Sequence, residues 1–226
     1  MYFDEDLLLD LRLNHLNKFV KKFVITEATY THNGNKKKLQ FDIKKFQKFK
    51  DKIIYLVVDK QPKNIMQLDE NDSKEKRGEK LILNGMARDY FQRENLKRGL
   101  LNTSDEDLIL VSDLDEIPNL ENIDFSKIKN NIVIFEQKMF YYKFNLFYSD
   151  FVWQGTKGTK SKNFLSPQWL RNIKGKKYSK WRLDTLFSKK KYSNLFFIKN
   201  GGWHFAYLRT PEELEKKLLN FAHHYE

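Results

Sequence analysis

Three acidic residues follow a short hydrophobic run in the middle of the chain. The run at residues 107–111 leads directly into Asp113, Asp115 and Glu116. Its apolar centre predicts a buried strand, and residues two apart in a strand point the same way. Asp113 and Asp115 are therefore expected to share a divalent ion, because Mg²⁺ and Mn²⁺ favour carboxylate, water and phosphate oxygens. Such an ion would neutralise a leaving diphosphate, which is Lewis-acid catalysis.

The residues after the motif bear on this prediction. Pro118 cannot donate to a strand ladder, so we expect it to end the strand and leave the acids in a turn. Repulsion among the three carboxylates would be relieved by a bound cation. The alternative is a solvated turn whose aspartate side chains bond nearby backbone amides.

Two other functions stay open at this point. Phosphatases of the haloacid-dehalogenase type also place two aspartates after a strand, near the N-terminus, and have Thr or Val two residues after the second one. Here the motif lies mid-chain and Ile117 takes that position. A non-catalytic nucleic-acid-binding protein is the other alternative, because the formal net charge is +12. The lysines are scattered among acidic residues rather than gathered in one arm, which argues against it.

Helices and strands alternate around the motif in the first half of the chain. Apolar spacing predicts helices at residues 4–20 and 79–99, with a mobile polar loop at residues 61–80. Strands are predicted at residues 22–29, 53–59, 107–111 and 132–135. This order favours an open, mainly parallel α/β sheet, which binds ligands at the carboxyl ends of its strands.

The second half has a different character. Residues 138–153 are aromatic and strand-like, and residues 195–208 predict two short strands around Gly201 and Gly202. Paired glycines also permit a close backbone approach to a phosphate. This half is expected to form a smaller antiparallel, aromatic-rich side.

A capped helix is predicted at the end of the chain. Thr210 is a good N-cap, Pro211 fits the first helical position and Glu213 completes a capping box. No stop pattern precedes Glu226, which favours a natural protein that continues further.

Composition limits the class of protein. The 226 residues, 40% of them hydrophobic, suffice for one domain, and only 9 Gly and 4 Pro argue against a flexible linker. The absence of cysteine excludes disulfides and thiolate metal sites. The acidic start is not a signal peptide, and no apolar run approaches the roughly 20 residues of a membrane span. We therefore expect a cytoplasmic protein, whose charge favours peripheral association with anionic membranes.

Several segments resemble glycosyltransferase family 17, whose animal members are β-1,4-mannosyl-glycoprotein N-acetylglucosaminyltransferases, and in particular its bacterial branch. SDLDEIP (residues 112–118) is similar to the family's SD-x-DEIP, and GGWHFAYL (201–208) to its GWHFSY. Four further segments resemble the family in the same order along the chain: FDEDLLLDLRL, FVITEATYTHNGNKKKL, YFQRENLKRGL and KLLNFAH. Residues 153–200 show little similarity, so the acceptor of the animal enzymes is not carried over.

The resemblance implies a single GT-A-like domain over residues 1–226. Residues 1–135 would form the nucleotide-sugar-binding half and residues 136–226 the acceptor-side half. It further implies a metal-dependent, inverting enzyme with a UDP-sugar donor, most simply UDP-GlcNAc, and Mn²⁺ or Mg²⁺. The acceptor would be a glycan or a lipid-linked saccharide, with no specific nucleic-acid partner.

The resemblance also implies roles for residues of the segments that are similar to the family. Asp115 would be the main metal ligand, Asp113 would contact the metal or the ribose, and His204 would be the third ligand beside the substrate-binding Trp203. The alternative for His204 is a core histidine. Lys217 of the last helix, which also carries His223, would neutralise the departing UDP, although a plain amphipathic helix explains it equally well.

Other candidates lie nearer the N-terminus. Glu27 ends the first strand, where this fold usually contacts the nucleobase and ribose, and Thr31, Gly34 and Lys38 follow on a loop that could reach the same pocket. The alternative is a salt-bridged strand end beside a solvated basic turn.

Two arginines and four carboxylates complete the candidates. Arg88 or Arg93 could contact the diphosphate through a guanidinium fork. Inverting transfer also needs a general base to deprotonate the acceptor hydroxyl. Four carboxylates are candidates for that base: Glu116, Glu136, Asp150 and Asp184.

Overall fold

The computed structural model describes residues 1–179 and 181–219. The chain divides into two compact units. One unit contains Met1–Asp4, Lys22–Gly99 and the described part of Arg209–Glu226, and the other contains Glu5–Lys21 and Leu100–Leu208. The division into halves at residue 135 stays a prediction.

The regular elements make a mixed α/β fold. The helices are α1 (Asp6–Leu16), α2 (Lys74–Glu94), α3 (Pro167–Asn172), α4 (Leu183–Leu186) and α5 (Pro211–Leu219). The strands are β1 (Phe23–Ala28), β2 (Ile53–Val58), β3 (Leu108–Val111), β4 (Glu116–Pro118), β5 (Ile132–Tyr141), β6 (Phe147–Lys160), β7 (Leu195–Ile198) and β8 (Gly202–Ala206). Among the helices of the described residues, none has the length and apolar character needed to cross a bilayer.

The first unit is built on the parallel pair β1 and β2. Their register runs from Phe23 opposite Ile53 to Ala28 opposite Val58. Both strands were predicted, because each is an apolar run bounded by polar residues. The predicted helix at residues 79–99 is displaced: α2 begins at Lys74, where the Ser73 side chain accepts a hydrogen bond from the Lys76 amide (3.2 Å). The predicted polar loop is correspondingly shorter.

The terminal helix α5 of the same unit begins as predicted. The Thr210 amide donates to the Glu213 carboxylate (3.0 Å), and the Glu213 amide donates to the Thr210 hydroxyl (3.3 Å). This reciprocal pair is a capping box, and Pro211 occupies the first helical position.

The sheet of the second unit has the strand order β3-β6-β5-β8-β4, and β7 also pairs with β5. The pairs β3/β6, β5/β6 and β4/β8 are antiparallel, whereas β5/β7 and β5/β8 are parallel. The prediction of a mainly parallel GT-A-type sheet is therefore wrong. The physical reason is the hairpin between β5 and β6, which returns a 14-residue strand antiparallel through the middle of the sheet.

Two apolar clusters lie in this unit. One joins β3, β5 and β7 to α3 through Ile109, Ile134, Leu170 and Leu195, among others. The other joins Leu8 of α1 to Ile117 of β4 and Phe205 of β8. The second cluster sets β4 and β8 beside α1, and these are the elements that surround the acidic residues.

Strands β4 and β8 meet through a glycine. Gly202 lies opposite Pro118 and has φ +122°, a conformation that L side chains rarely adopt. A Cβ on Gly202 would lie 2.1 Å from the Ile117 carbonyl oxygen. The glycine is thus required by the approach of two backbones.

Pro118 is the last residue of β4, so the strand ends there as predicted. Asp113 and Asp115 lie in the preceding turn, whereas Glu116 belongs to β4. Proline is tolerated at this position because β4 is the edge strand of the sheet.

We predict that Gly202→Ala lowers the free energy of unfolding by about 3 kcal/mol or more, because the new methyl group meets both backbone strain and a carbonyl oxygen. Urea unfolding followed by circular dichroism measures the change. Gly78→Ala is the control: Gly78 lies inside α2, and a Cβ there meets nothing within 4 Å. That variant should gain about 0.5–1 kcal/mol. Equal stability of Gly202→Ala and wild type would contradict the prediction.

Candidate active site

The acidic turn, Ser112–Glu116, connects β3 to β4. Asp113 and Asp115 lie in the turn itself, after β3 has ended at Val111. The Glu116 amide donates to the Asp113 carbonyl (3.1 Å), and the Asp113 amide donates to the Glu116 carboxylate (3.0 Å). The turn is thus closed by its own backbone and by the Glu116 side chain.

Glu116 is completely buried. Arg171 donates to both of its carboxylate oxygens (2.8 and 2.9 Å), and the Trp153 indole donates to one of them (2.7 Å). Burial raises the pKa of Glu116, and the charge of Arg171 opposes this effect. Because Arg171, Trp153 and the Asp113 amide all donate to it, Glu116 acts in this geometry as the anchor of a buried network.

Arg171 brings three parts of the chain together. Besides Glu116, it donates to the Asp113 carboxylate (2.9 Å) and to the Gly155 carbonyl (2.8 Å). Burial alone would lower the pKa of Arg171, but the charges of Asp113 and Glu116 more than offset it and raise the pKa. The planar guanidinium can serve two carboxylates at once, which a lysine could not do.

A second arginine holds the backbone of the turn. Arg12 of α1 donates to the Ser112 hydroxyl (2.5 Å), to the Asp113 carbonyl (3.4 Å) and to the Glu116 carbonyl. Arg12 therefore orients the turn, while Arg171 pairs with two of its carboxylates.

Asp115 is the acid that neither arginine hydrogen-bonds. Its carboxylate lies 3.5 Å from Nε2 of His204, and its carbonyl accepts from the Phe205 amide (3.0 Å). The contact follows from strand register, because Glu116 lies opposite His204 in the β4/β8 pair. The Asp115 side chain keeps about a quarter of its surface (27%) exposed, so a ligand can reach it.

His204 is buried and oriented by its neighbours. Its ring stacks on Trp153, with centroids 4.5 Å apart and planes at 20°. Its Nδ1 lies 2.8 Å from the Met139 sulfur. These contacts leave Nε2 as the ring atom directed at Asp115.

The Asp115–His204 pair fits two neighbouring ligands of a divalent cation. Octahedral Mg²⁺ sites have ligand distances near 2.0–2.1 Å, so adjacent ligand atoms lie about 3 Å apart. The observed 3.5 Å requires only a small adjustment. The predicted trio with Asp113 is not assembled, since Asp113 is turned to Arg171. Among the described residues, no group of three or more His, Asp or Glu is arranged to hold a metal ion.

Trp203 flanks the same strand pair. Its ring packs edge-on against His15 (5.2 Å, 83°), and its carbonyl accepts from the Gln137 side chain (3.2 Å). These contacts are packing contacts, and the substrate-binding role of Trp203 stays a prediction.

The remaining candidate bases lie in different surroundings. Asp150 is exposed on β6, and its one side-chain hydrogen bond in the described chain comes from Ser149 (3.0 Å). Asp184 forms ion pairs with Arg182 (2.9 Å) and Lys191 (2.7 Å). Glu136 is half-buried on β5.

Glu27 lies in the first unit and is fully buried. It accepts hydrogen bonds from the Tyr55 hydroxyl (2.8 Å), the Gln40 and Phe41 amides (2.8 and 3.1 Å) and the Lys37 ammonium group. The carboxylate thus fastens residues 37–41 to β1. This is close to the salt-bridged alternative, with Lys37 as the ion-pair partner, while contact with a nucleotide stays a prediction.

The loop after β1 contains two further candidates. Thr31 is buried and bonds within the turn, to the Asn33 side chain and the Asn35 carbonyl (3.3 Å). Lys38 is exposed. Neither arrangement by itself indicates a ligand.

Arg88 and Arg93 differ in their partners. Arg93 pairs with Asp89 on the same helix (2.9 Å). Arg88 is buried and donates only to neutral oxygens, those of Gln61 (2.8 Å) and the His32 carbonyl (2.9 Å). Burial lowers the pKa of Arg88. Of the two, Arg88 is the one that lacks a carboxylate partner in the described part of the chain.

The candidates on the last helix are only partly described. Lys217 lies on α5, but its side chain is outside the described structure, as is the whole of His223.

Sequence reasoning missed the two arginines that organise the site. Arg12 lies in a segment that resembles the family opening, although no local pattern there indicates a contact about a hundred residues away. Arg171 lies in the stretch where little similarity is evident. Its partners are distant in sequence, so only the fold brings them together.

The comparison with protein families agrees with the chemistry of this site. The protein is a glycosyltransferase by class, because the model of glycosyltransferase family 17 matches residues 1–225. The chain belongs to glycosyltransferase family 17. Neither a curated protein nor a solved structure matches the chain.

We predict that Arg171→Met lowers the free energy of unfolding by about 3–5 kcal/mol, because it leaves the buried Glu116 charge without its partner. The double variant Arg171→Met/Glu116→Gln should recover part of that loss. Urea unfolding of both single variants and the double variant gives the coupling energy. Arg182→Met is the control, since it breaks an exposed ion pair worth at most about 1 kcal/mol. If the losses in unfolding free energy of the two single variants simply added in the double variant, the buried ion pair would be contradicted.

Lys157 contacts the end of the helix that carries Arg171, and it should make the free energy of unfolding depend on pH. Its ammonium group donates to the carbonyls of Arg171 (2.7 Å) and Ile173 (2.5 Å) at the end of α3. Burial lowers the pKa of Lys157 from 10.5 to about 8. Between these values the unfolded chain binds the proton more strongly, so this residue makes the free energy of unfolding rise from about pH 8 towards 10.5.

Unfolding should therefore be measured across that pH range for the wild type, Lys157→Met and the exposed control Lys129→Met. The rise attributable to Lys157 should disappear in Lys157→Met and persist in Lys129→Met. A wild-type profile that runs parallel to that of Lys157→Met would show that burial does not shift this lysine.

Proposed function

We propose that the chain is a metal-dependent, inverting glycosyltransferase that transfers a sugar, GlcNAc in the simplest case, from a UDP-sugar to a glycan or lipid-linked acceptor. The family supports glycosyl transfer. The observation that carries the finer proposal is the Asp115–His204 pair, a carboxylate and an imidazole 3.5 Å apart beside an acidic turn.

In this proposal Asp115 and Nε2 of His204 hold Mn²⁺ or Mg²⁺. An imidazole ligand suits Mn²⁺ better than Mg²⁺. The cation would supply charge neutralisation for the diphosphate that leaves with UDP. The Met139 sulfur favours the tautomer with the proton on Nδ1, so that Nε2 offers its lone pair.

The charges of the turn explain why a cation is needed. Asp113, Asp115 and Glu116 carry three negative charges, and Arg12 and Arg171 supply two positive charges. These three acids and two arginines together leave one net negative charge, which disfavours a diphosphate beside Asp115. A divalent cation makes the site net positive, so nucleotide binding should depend on the metal.

Glu116 and Arg171 act as positioning residues in this scheme. Arg171 holds the Asp113 carboxylate, and Glu116 anchors both Arg171 and Trp153. Because its carboxylate is completely buried and both oxygens accept hydrogen bonds from Arg171, Glu116 is poorly suited to deprotonate an acceptor. Asp150 is the better candidate for the base, since its carboxylate is exposed and lies three residues before Trp153 on β6.

The phosphatase alternative loses support from the same geometry. It requires the first aspartate of the motif as a nucleophile, whereas the Asp113 carboxylate is bonded to Arg171. A basic nucleic-acid-binding protein is likewise not what the family match indicates.

We expect UDP-GlcNAc to bind in the presence of Mn²⁺ and to bind at least about tenfold more weakly without it, a difference of about 1.4 kcal/mol. Asp115→Ala and His204→Ala should each abolish the metal dependence, because each removes one ligand. Isothermal titration calorimetry with UDP-GlcNAc, UDP and Mn²⁺ alone measures these effects. Asp10→Asn, an exposed acid on α1, is the control and should bind like the wild type.

Two results would overturn parts of the proposal. Metal-independent binding of UDP-GlcNAc, equal in the wild type and Asp115→Ala, would refute the metal site. Failure of every UDP-sugar to bind under either condition would refute the donor assignment.

A further inference from the structure

The end of the β5–β6 hairpin, residues 141–152, exposes a large apolar surface. We call this segment the aromatic hairpin. Seven of its apolar and aromatic residues have about half of their surface in solvent, between 45% and 56%: Tyr142, Phe144, Leu146, Phe147, Tyr148, Phe151 and Val152. Monomeric proteins rarely expose contiguous apolar surface on this scale without an interaction to serve.

Both faces of the aromatic hairpin carry exposed apolar residues. Neighbouring residues in a strand point to opposite faces, and Phe147 and Tyr148 are both exposed. The same is true of Phe151 and Val152. Further along β6, residues 155–159 are buried in the sheet. Residues 138–141 of β5 pair with β8, so the hairpin stays joined to the sheet along β5. Exposed apolar residues still occur on both of its faces, so a molecule that covers them must contact both faces.

Part of the hairpin backbone is paired within the protein, whereas residues 149–151 of β6 have no register partner in β5. Phe140 lies opposite Phe147, and the Tyr141 amide donates to the Leu146 carbonyl (3.1 Å). The Tyr142 amide donates to the Ala206 carbonyl (3.0 Å). Pairing of these polar groups reduces the cost of moving the segment out of water.

Tyrosines cluster at the turn of the hairpin, where β5 ends at Tyr141. The ring of Tyr207 stacks with those of Tyr142 (6.1 Å) and Tyr141 (6.5 Å). Tyr142 and Tyr207 both have positive φ, at 62° and 55°, which is unusual for bulky residues and indicates that the surrounding structure imposes it. Tyrosine is the type of side chain that lies at the boundary between water and lipid, because its ring is apolar and its hydroxyl is polar.

The charges near the hairpin favour an anionic surface. Lys138 and Lys143 are exposed, and Asp150 is the one acidic residue between positions 138 and 152. The whole chain carries a formal net charge of +12. Basic residues beside an apolar segment add electrostatic attraction to anionic lipid headgroups.

We propose that the aromatic hairpin is a membrane-docking element that enters the interfacial layer of an anionic lipid bilayer. Lipid surrounds an inserted segment and so covers both faces, whereas a folded partner would cover one. Val152 is followed directly by Trp153, whose indole donates to Glu116 of the acidic turn. Docking would thus bring the acidic turn near the headgroups. If the proposed function holds, this placement favours a lipid-linked acceptor.

Vesicle co-sedimentation tests the docking directly and does not depend on enzymatic activity. The wild type should bind phosphatidylcholine vesicles that contain phosphatidylglycerol, and bind pure phosphatidylcholine vesicles more weakly. Leu146→Ser should weaken binding by about tenfold, because the burial of one leucine side chain is lost. Leu101→Ser is the matched control: Leu101 is more exposed (85%) but lies outside the hairpin, so that variant should bind like the wild type. Circular dichroism verifies that both variants are folded.

The charge contribution has its own test. Lys138→Gln/Lys143→Gln should remove most of the preference for anionic vesicles, and Lys129→Gln, an exposed lysine elsewhere, should not. Absence of vesicle binding by the wild type would overturn the proposal, as would equal losses in Leu146→Ser and Leu101→Ser. A wild-type dimer that Leu146→Ser dissociates, with no vesicle binding, would identify the hairpin as a self-association surface and would also overturn it. Loss of UDP-GlcNAc binding would leave the docking result unaffected.

Discussion

The buried ion pair between Arg171 and Glu116 is the interaction on which the rest of the site depends. A charge at Glu116 is costly without a partner, and Arg171 supplies two hydrogen bonds to it. The same guanidinium holds Asp113 and the Gly155 carbonyl, so it ties β4, β6 and α3 together. The other acid of the turn, Asp115, is thereby left facing His204. Arg171 thus gives the two aspartates different roles: Asp113 is bound by the protein, whereas Asp115 is open to a ligand.

Much of the local structure could be predicted from sequence. The apolar runs of β1, β2 and β3 and the capping box of α5 are determined by neighbouring residues, so short patterns indicate them. The sheet topology was not predictable in the same way. The reversal between β5 and β6 contains neither glycine nor proline, and Tyr142 adopts positive φ there instead. Without a turn pattern, residues 138–153 indicated one aromatic, strand-like segment, so an antiparallel side was expected but not a hairpin that enters the main sheet.

The candidate site shows the same division between local and distant information. The acidic motif and His204 could be found as short sequence patterns. Their contact depends on strand register, since Glu116 lies opposite His204 only because Gly202 lets β8 approach β4. A shift of one residue would turn His204 to the other face of the sheet. Arg12 and Arg171 could not be found, because their partners are set by packing rather than by spacing.

Pro118 has a consequence for how the sheet meets other molecules. An edge strand normally offers free amides and carbonyls to which another chain can add a strand, and this is a common route to aggregation. Here the edge strand β4 is three residues long and ends in a proline, which has no amide hydrogen to donate. Strand addition is therefore discouraged at the edge that carries the acidic turn. The edge formed by β4 therefore remains accessible to small ligands but is a poor site for self-association through backbone hydrogen bonds.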